Sequence, residues 1–249
     1  MPIGWQQAQV AFVNDWAEGL RTIWLDARAQ PFQAGQFVNL ALDVAGERVS
    51  RSYSMASAPG EPLEFFLARV PDGALSPSLF ALGAGDPLLF NPLPAGRFTL
   101  ERVPAARVLW LVATGTGLGP FISMLRTDEP WCRFERLVVV HGVRGPEQLA
   151  YRQELQALSA EHDARLTWVP VVSRAPHAPD VLHGRVTTSL QDGSLEDRAG
   201  TPLEASSSQV LLCGNPAMIH EMRGLLSARG LERNRPRKPG HVTTEAYWG

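Results

Sequence analysis

Four groups of residues have types and spacings that could do chemistry. The first is a glycine-rich turn, Thr114-Gly115-Thr116-Gly117-Leu118-Gly119-Pro120, which follows an apolar run. Glycines let a backbone turn tightly and approach a pyrophosphate, and a helix starting there offers its N-terminus to the anion. The spacing is G-x-G-x-G rather than the dinucleotide fingerprint G-x-G-x-x-G, and a plain strand–helix turn would use it as readily. The second group is a set of arginines just past later apolar runs: Arg144 in Gly142-Val143-Arg144, Arg174 in Ser173-Arg174, and Arg185 in His183-Gly184-Arg185. One such arginine would be surface charge, but several converging guanidiniums suit a phosphate through planar bidentate hydrogen bonds. The third is Arg51-Ser52-Tyr53-Ser54-Met55-Ala56-Ser57. Strand alternation puts Arg51 and Tyr53 on one face, so the arginine could hold a phosphate while the ring stacks on a planar heterocycle. An ordinary strand with one core tyrosine fits these residues too. The fourth is Cys213-Gly214-Asn215-Pro216, a further turn into a helix.

The elements that must position these groups fall into two rhythms. Up to about residue 100, short apolar segments (Leu20–Leu25, Gln36–Leu42, Leu63–Val70, Pro87–Phe90) alternate with turn signals: Ala34-Gly35, Ala45-Gly46, Pro59-Gly60, Asp72-Gly73 and Gly85-Asp86. That spacing predicts an antiparallel β-barrel. One helix is expected inside it, with Ser76 as N-cap and Pro77 in the first helical position. After Val103-Pro104, four apolar runs (Arg107–Ala113, Leu137–His141, Leu166–Val172, Gln209–Leu212) alternate with helical stretches at Pro120–Arg126, Leu149–Glu161 and Pro216–Arg229. Runs without polar alternation are strands buried on both faces, so this half reads as a parallel α/β sheet of Rossmann-like type. The expected domains are residues 1–102 and 103–249. In such sheets ligands bind outside the carboxyl ends of the strands, where the glycine turn and the arginines fall. The second run carries no acid for ribose hydroxyls, which favours a 2′-phosphate and hence NADP over NAD.

The chain has 249 residues, 45% of them hydrophobic and 19% charged, with a net charge of −2. That balance excludes a general bias toward nucleic acid or membrane. No apolar run approaches the roughly 18 residues of a membrane span, and the start lacks the pattern of a secretory signal. The two cysteines, Cys132 and Cys213, are too few for a cysteine-ligated cluster, and His177 and His183 stand in no ligand spacing, so no metal is expected. A reducing cytoplasmic setting is expected. Arg223, Arg229, Arg233, Arg235, Arg237 and Lys238 crowd the C-terminal portion. They read either as a solvated face or as a docking patch for an acidic protein.

Taken together, the motif R-x-Y-S at Arg51–Ser54, the Ala113–Gly117 turn, Cys213–Pro216 and the tail Gly240–Trp248 resemble the ferredoxin–NADP(+) reductases, particularly the bacterial ferredoxin/flavodoxin type. The motifs follow the family's order and spacing across nearly the whole chain. The resemblance implies an FAD-binding barrel and an NADP-binding domain whose tail returns to the flavin. It implies that Arg51 holds the FAD pyrophosphate, that Tyr53 stacks on the isoalloxazine and that Ser54 bonds near its N5. Ser52, Ala68-Arg69-Val70 and Ala74-Leu75-Ser76 would also contact FAD. Thr116 would lie beside the flavin and nicotinamide, and Arg144, Ser173, Arg174 and Arg185 would take the NADP adenosine and its 2′-phosphate. Asn215 and Pro216 would line the NADP groove. Cys213, Ser54, Glu245 and Tyr247 would be the catalytic set, with Tyr247 covering the second flavin face and moving aside for the nicotinamide. Trp248 would fold onto the FAD adenine; Gly249 after it departs from the family's pattern. The implied activity exchanges electrons between NADP(H) and ferredoxin or flavodoxin, by a monomer. Two other readings stay open: a reductase on the same scaffold serving an oxygenase, free flavin or a quinone, and a non-enzymatic nucleotide-binding module.

Overall fold

The computed structural model describes residues 4–175 and 178–247. Two compact units are seen: the chain up to Thr99 together with Gly119–Thr127, and Leu100–Leu118 together with the chain from Asp128 onward.

The first unit is an antiparallel sheet of β1 (Gln6–Ala17), β2 (Leu20–Leu25), β3 (Phe37–Val44), β4 (Glu47–Ser54), β5 (Glu64–Ala68) and β6 (Pro87–Phe90). Their order is β4-β3-β6-β1-β2-β5. A bridge between Met55 and Phe65 joins the two edges and closes the sheet as a barrel. The β3–β4 hairpin is set by its turn: Ala45 and Gly46 have φ of 53° and 86°, the positive values that a tight two-residue connection requires. The resulting register runs from Val44 opposite Glu47 to Phe37 opposite Ser54, and sets Arg51 against Leu40 and Tyr53 against Val38. Val38, Leu40, Phe65, Leu67, Leu88 and Phe90 fill the barrel interior, each such side chain contributing about 1.5–3 kcal/mol by leaving water. β1 had no sequence signal. Its apolar alternation is broken by polar residues and by an irregularity between Val10 and Phe12, which shifts side chains to the other face.

Helix α1 (Ser76–Ala81) corrects the reading of Ser76 as an N-cap. The cap position is Leu75, with no side-chain cap bond. The Ser76 hydroxyl instead accepts from Val70 N at 3.0 Å and reaches Val70 O at 3.3 Å. A serine in a tight turn finds these nearby backbone partners before the helix N–H groups. A second helix, α2 (Gly119–Leu125), groups with the barrel unit. Phe121 packs on Phe98, and Ser123 Oγ donates to Ser57 O at 2.6 Å.

The second unit is a parallel sheet of β7 (Val108–Thr114), β8 (Arg136–Val143), β9 (Leu166–Val172), β10 (Leu182–His183), β11 (Ser208–Gly214) and β12 (Val242–Ala246), ordered β10-β9-β8-β7-β11-β12. Its helices are α3 (Glu129–Arg133), α4 (Arg152–Glu161), α5 (Val186–Gln191), α6 (Ser194–Ala199) and α7 (Pro216–Ala228). Residues of α5, α6 and α7, among them Leu190, Leu195, Met222 and Leu226, bury one face of the sheet. Pro170, which has no N–H to give, falls where β9 has a ladder neighbour on one side only, because β10 pairs with Val171 and Val172 alone. Successive strands run outward from β7 through β8 and β9, then return across β7 to β11. The order of strands therefore reverses between β7 and β11, and that reversal opens the crevice in which such sheets bind ligands. Among the described residues no helix is long and apolar enough to cross a membrane.

Candidate nucleotide and flavin sites

At the reversal, the carboxyl ends of β7 and β11 are locked together. The Thr114 hydroxyl accepts Asn215 N–H at 2.9 Å. Gly214 has φ +123°, and a Cβ there would stand 2.4 Å from Thr114 Oγ1. A Cβ on Gly117 would stand 2.5 Å from Cys213 O. Both glycines are therefore required for one turn to approach the other. Gly115 differs: its φ is +53°, and a Cβ there would meet nothing within 4 Å. It faces open space. The Asn215 side chain caps α7, accepting from Ala217 N at 2.8 Å and Met218 N at 3.4 Å. Pro216 then takes the first helical turn, where its missing N–H is harmless.

The turn has a third anchor from β8. His141 is fully buried in the sheet, and its Nε2 lies 3.1 Å from Gly115 O. Burial holds its pKa down at about 4, against the pull of the Gly115 carbonyl. The ring is thus neutral at pH 7, and it must carry its proton on Nε2 to donate to that carbonyl.

The arginines fall at the same end of the sheet. Arg144 follows β8, Ser173 and Arg174 follow β9, and Arg185 follows β10 as the residue before α5. Arg174 N donates to Arg144 O at 2.8 Å, and Ser173 N and Oγ both reach Val143 O, at 3.0 and 3.2 Å. Gly184 N is held by Val172 O at 2.9 Å. All three guanidiniums are exposed. Gln148 Oε1 accepts from Arg144 N at 3.0 Å, which holds this loop still.

The tail forms β12, which pairs in parallel with β11 so that Cys213 faces Glu245. Tyr247 N donates to Gly214 O at 3.0 Å. The Cys213 thiol is pushed well up by burial, then by the Glu245 carboxylate, while the Tyr247 side chain, hydrogen-bonded to it, pulls the other way. Cys213 is thus a protonated thiol at neutral pH. Trp248 lies outside the described residues, as does His177.

In the barrel unit, β4 has a ladder partner on one side only, β3, until the bridge at Met55. Arg51 and Ser52 are exposed, and Tyr53 and Ser54 are half-buried. The Arg51 guanidinium donates to Ser50 O at 2.7 Å, and Ser52 Oγ donates to Asn39 Oδ1 at 2.7 Å. Tyr53 is half-buried and packs against the barrel core. Burial raises its pKa to about 12, more than the nearby Arg51 charge lowers it. The phenol is neutral, and Arg51 is felt at its ring, as a shared face demands. A strand edge carrying an exposed cation beside a neutral aromatic ring fits a flavin dinucleotide. Ala68 is half-buried, while Arg69 and Ala74 are exposed on the turn after β5. Val70 is tied to Ser76, and the Leu75 side chain lies in the core, leaving it only main-chain atoms to offer a ligand.

Thr116 is nearly buried. In the C-terminal basic group, Arg229 is committed to Glu196 at 2.7 Å and to Leu190 O at 2.9 Å, so it serves packing. Arg233, Arg235, Arg237 and Lys238 remain exposed on a short hairpin stapled by Asn234. Sequence reasoning missed His141, whose signal was a lone polar residue ending an otherwise apolar run. It also missed the Thr114 hydroxyl, for which no signal existed.

The Oxidoreductase NAD-binding domain family matches residues 111–224. The chain is 40% identical over 246 residues to the Flavodoxin/ferredoxin–NADP reductase of Escherichia coli strain K12, covering 98% of this chain and 99% of that one. It is 36% identical to the protein of the same name from Buchnera aphidicola, again over 98% and 99%. Among solved structures, a ferredoxin NADP+ reductase from Neisseria gonorrhoeae with bound FAD and NADP matches with a TM-score of 0.91 at 30% identity, covering 97% of this chain and 98% of that one. A fold of a closed antiparallel barrel and a reversing parallel sheet, the glycine crevice in that sheet, and identity of this extent lead to one conclusion: the chain belongs to the flavodoxin/ferredoxin–NADP reductase family.

Proposed function

We propose that the protein is an NADPH-dependent flavoprotein reductase exchanging electrons between NADP(H) and ferredoxin or flavodoxin. The observation that carries this reading is the crevice between β7 and β11, with Gly115 open above it and three arginines at the neighbouring strand ends. The names of the relatives and the FAD and NADP bound to the Neisseria protein support it. In this reading residues 1–102 form the FAD-binding domain and 103–249 the NADP-binding domain.

Bound FAD supplies the relay chemistry, taking a hydride's two electrons from NADPH and passing them on one at a time. Arg51, Tyr53 and Ser54 would hold it, with main-chain donors of the 68–76 turn. Arg144, Arg174 and Arg185, with Ser173, would take the 2′-phosphate. Gly115 and Thr116 would leave room for the nicotinamide end, with Asn215 and Pro216 along the groove. Glu245, Tyr247, Cys213 and Ser54 are the candidate catalytic residues. Cys213 serves there as a neutral thiol, since burial keeps it protonated. The exposed hairpin Arg233–Lys238 offers positive charge to an acidic carrier. Two unpaired cysteines among the described residues support a cytoplasmic protein.

The test is the visible spectrum of the purified protein before and after anaerobic NADPH. Flavin bands that bleach with NADPH, and turnover with ferredoxin or flavodoxin above that with free flavin, are expected. A colourless protein that cannot take up FAD sinks the reading. Faster turnover with free flavin or a quinone would reassign the acceptor.

A further inference from the structure

We propose that Arg126 is a positioning residue for the flavin site, fixing the end of the strand that carries Tyr53 and Ser54. The inference rests on the functional reading above. Its ground is the barrel seam. Strands β4 and β5 are the two edges of the sheet, and little backbone pairing joins them: the Met55–Phe65 bridge and Ala56 N donating to Glu64 O at 2.8 Å. The site strand therefore ends where the barrel is least held by its own ladder.

Side chains supply the missing hold. Arg126, just past the end of α2, donates from Nη1 to Ala56 O at 2.9 Å and to the Glu64 carboxylate. On the same helix, Ser123 Oγ donates to Ser57 O at 2.6 Å, and Ser57 Oγ accepts Glu64 N–H at 3.3 Å. Both peptide groups flanking Ala56 are thus gripped, one through its N–H by β5 and one through its C=O by Arg126. Arg126 and Glu64 are an ion pair whose side chains are 24% and 4% exposed. Such a pair is a weak source of stability compared with apolar packing of the same volume. What a guanidinium adds is fixed geometry, since its rigid plane holds Nη1, which donates to both the Ala56 carbonyl and the Glu64 carboxylate, in one orientation. Ala56, whose carbonyl Arg126 holds, sits two residues after Ser54, where a shift of the backbone would carry straight into Ser54 and Tyr53. The helix that brings Arg126 starts at Gly119, the last glycine of the glycine-rich turn.

The test compares wild-type holoenzyme with Arg126→Met and Arg126→Lys. FAD release is followed by flavin fluorescence on dilution, together with the circular dichroism of the bound flavin. kcat and KM for NADPH are measured per bound flavin, and Tm alongside. Arg126→Met is expected to release FAD about tenfold faster and to lower kcat about tenfold or more through misplacement. KM for NADPH should stay within about twofold. Arg126→Lys, which keeps the charge but not the planar guanidinium, should recover part of both losses. Should Arg126→Met fail to fold because Glu64 is stranded, Arg126→Met with Glu64→Gln removes the charge and its partner together, and the same losses are expected. Wild-type release, dichroism and kcat per bound flavin in the folded variant overturn the proposal, whatever happens to Tm. A wild-type protein that holds no flavin overturns both this proposal and the functional reading, whereas a yellow, NADPH-reducible wild type with an unaltered variant overturns this one alone.

Discussion

Replacing Arg174 with alanine removes one of three exposed guanidiniums from the carboxyl end of the parallel sheet. A charge-assisted hydrogen bond contributes about 1.5–3 kcal/mol net. Because the group is exposed, solvent screening trims that to roughly 1–2 kcal/mol. A loss of that size lowers the preference for NADPH over NADH by about five- to thirtyfold. NADH has no 2′-phosphate to lose, so its kcat/KM should hold. The loss should also shrink as ionic strength rises, because exposed charges are screened within about 8 Å at physiological salt. Arg144 should be coupled to it, since Arg174 N donates to Arg144 O at 2.8 Å and ties the two loops together. The double variant should therefore depart from the product of the singles. The assay is kcat/KM for both nucleotides at two salt concentrations. An equal fall for NADPH and NADH would refute the phosphate assignment, since it would mean that Arg174 shapes the loop and reads no phosphate.

Three further outcomes are expected. His141 has a folded pKa of about 4 against an ordinary 6.5. Below pH 6.5 the unfolded chain therefore binds a proton that the folded one refuses, so stability is lost as pH falls from about 6.5 to about 4, by up to about 3 kcal/mol. His141→Gln keeps a donor for Gly115 and should flatten that slope in denaturant titrations; an unchanged slope would remove His141 from the account. Gly214→Ala forces a side chain into φ +123° and against Thr114, so chemical denaturation should show a loss of about 2–5 kcal/mol. Gly115→Ala, facing open space, should mainly raise KM for NADPH, and a larger stability loss there than at Gly214 would contradict the crevice geometry. Reversing Arg235 and Arg237 to glutamate should raise the KM for an acidic carrier about tenfold at low salt, and a carrier KM indifferent to salt and to these reversals would remove the hairpin from docking.

Much of the fold was legible because its signals are local. The buried strands of the parallel sheet show as apolar runs, and Leu166–Val172 coincides with β9. The hairpin turn Ala45-Gly46 announces positive φ and sets the register of the R-S-Y-S strand. What failed was also physical. Ser76 looks like a helix cap because serine prefers caps, but its hydroxyl found Val70 first. β1 looked like nothing because an irregularity broke its alternation. Arg229 read as either a solvated charge or a docking charge until Glu196 proved to hold it.

By itself the sequence determined the residue types and their order: a glycine turn after one strand, arginines after two others, an arginine–tyrosine pair on a barrel strand, and a tail with Glu245 and Tyr247. Tertiary structure alone decided which of them meet. Strand order sends β11 back beside β7, so Thr114 touches Asn215 across a long stretch of chain. It also lays β12 against β11, which brings Glu245 beside Cys213. Non-local pairing of this kind follows from burying both faces of the sheet, a property of the whole unit that no window of residues contains.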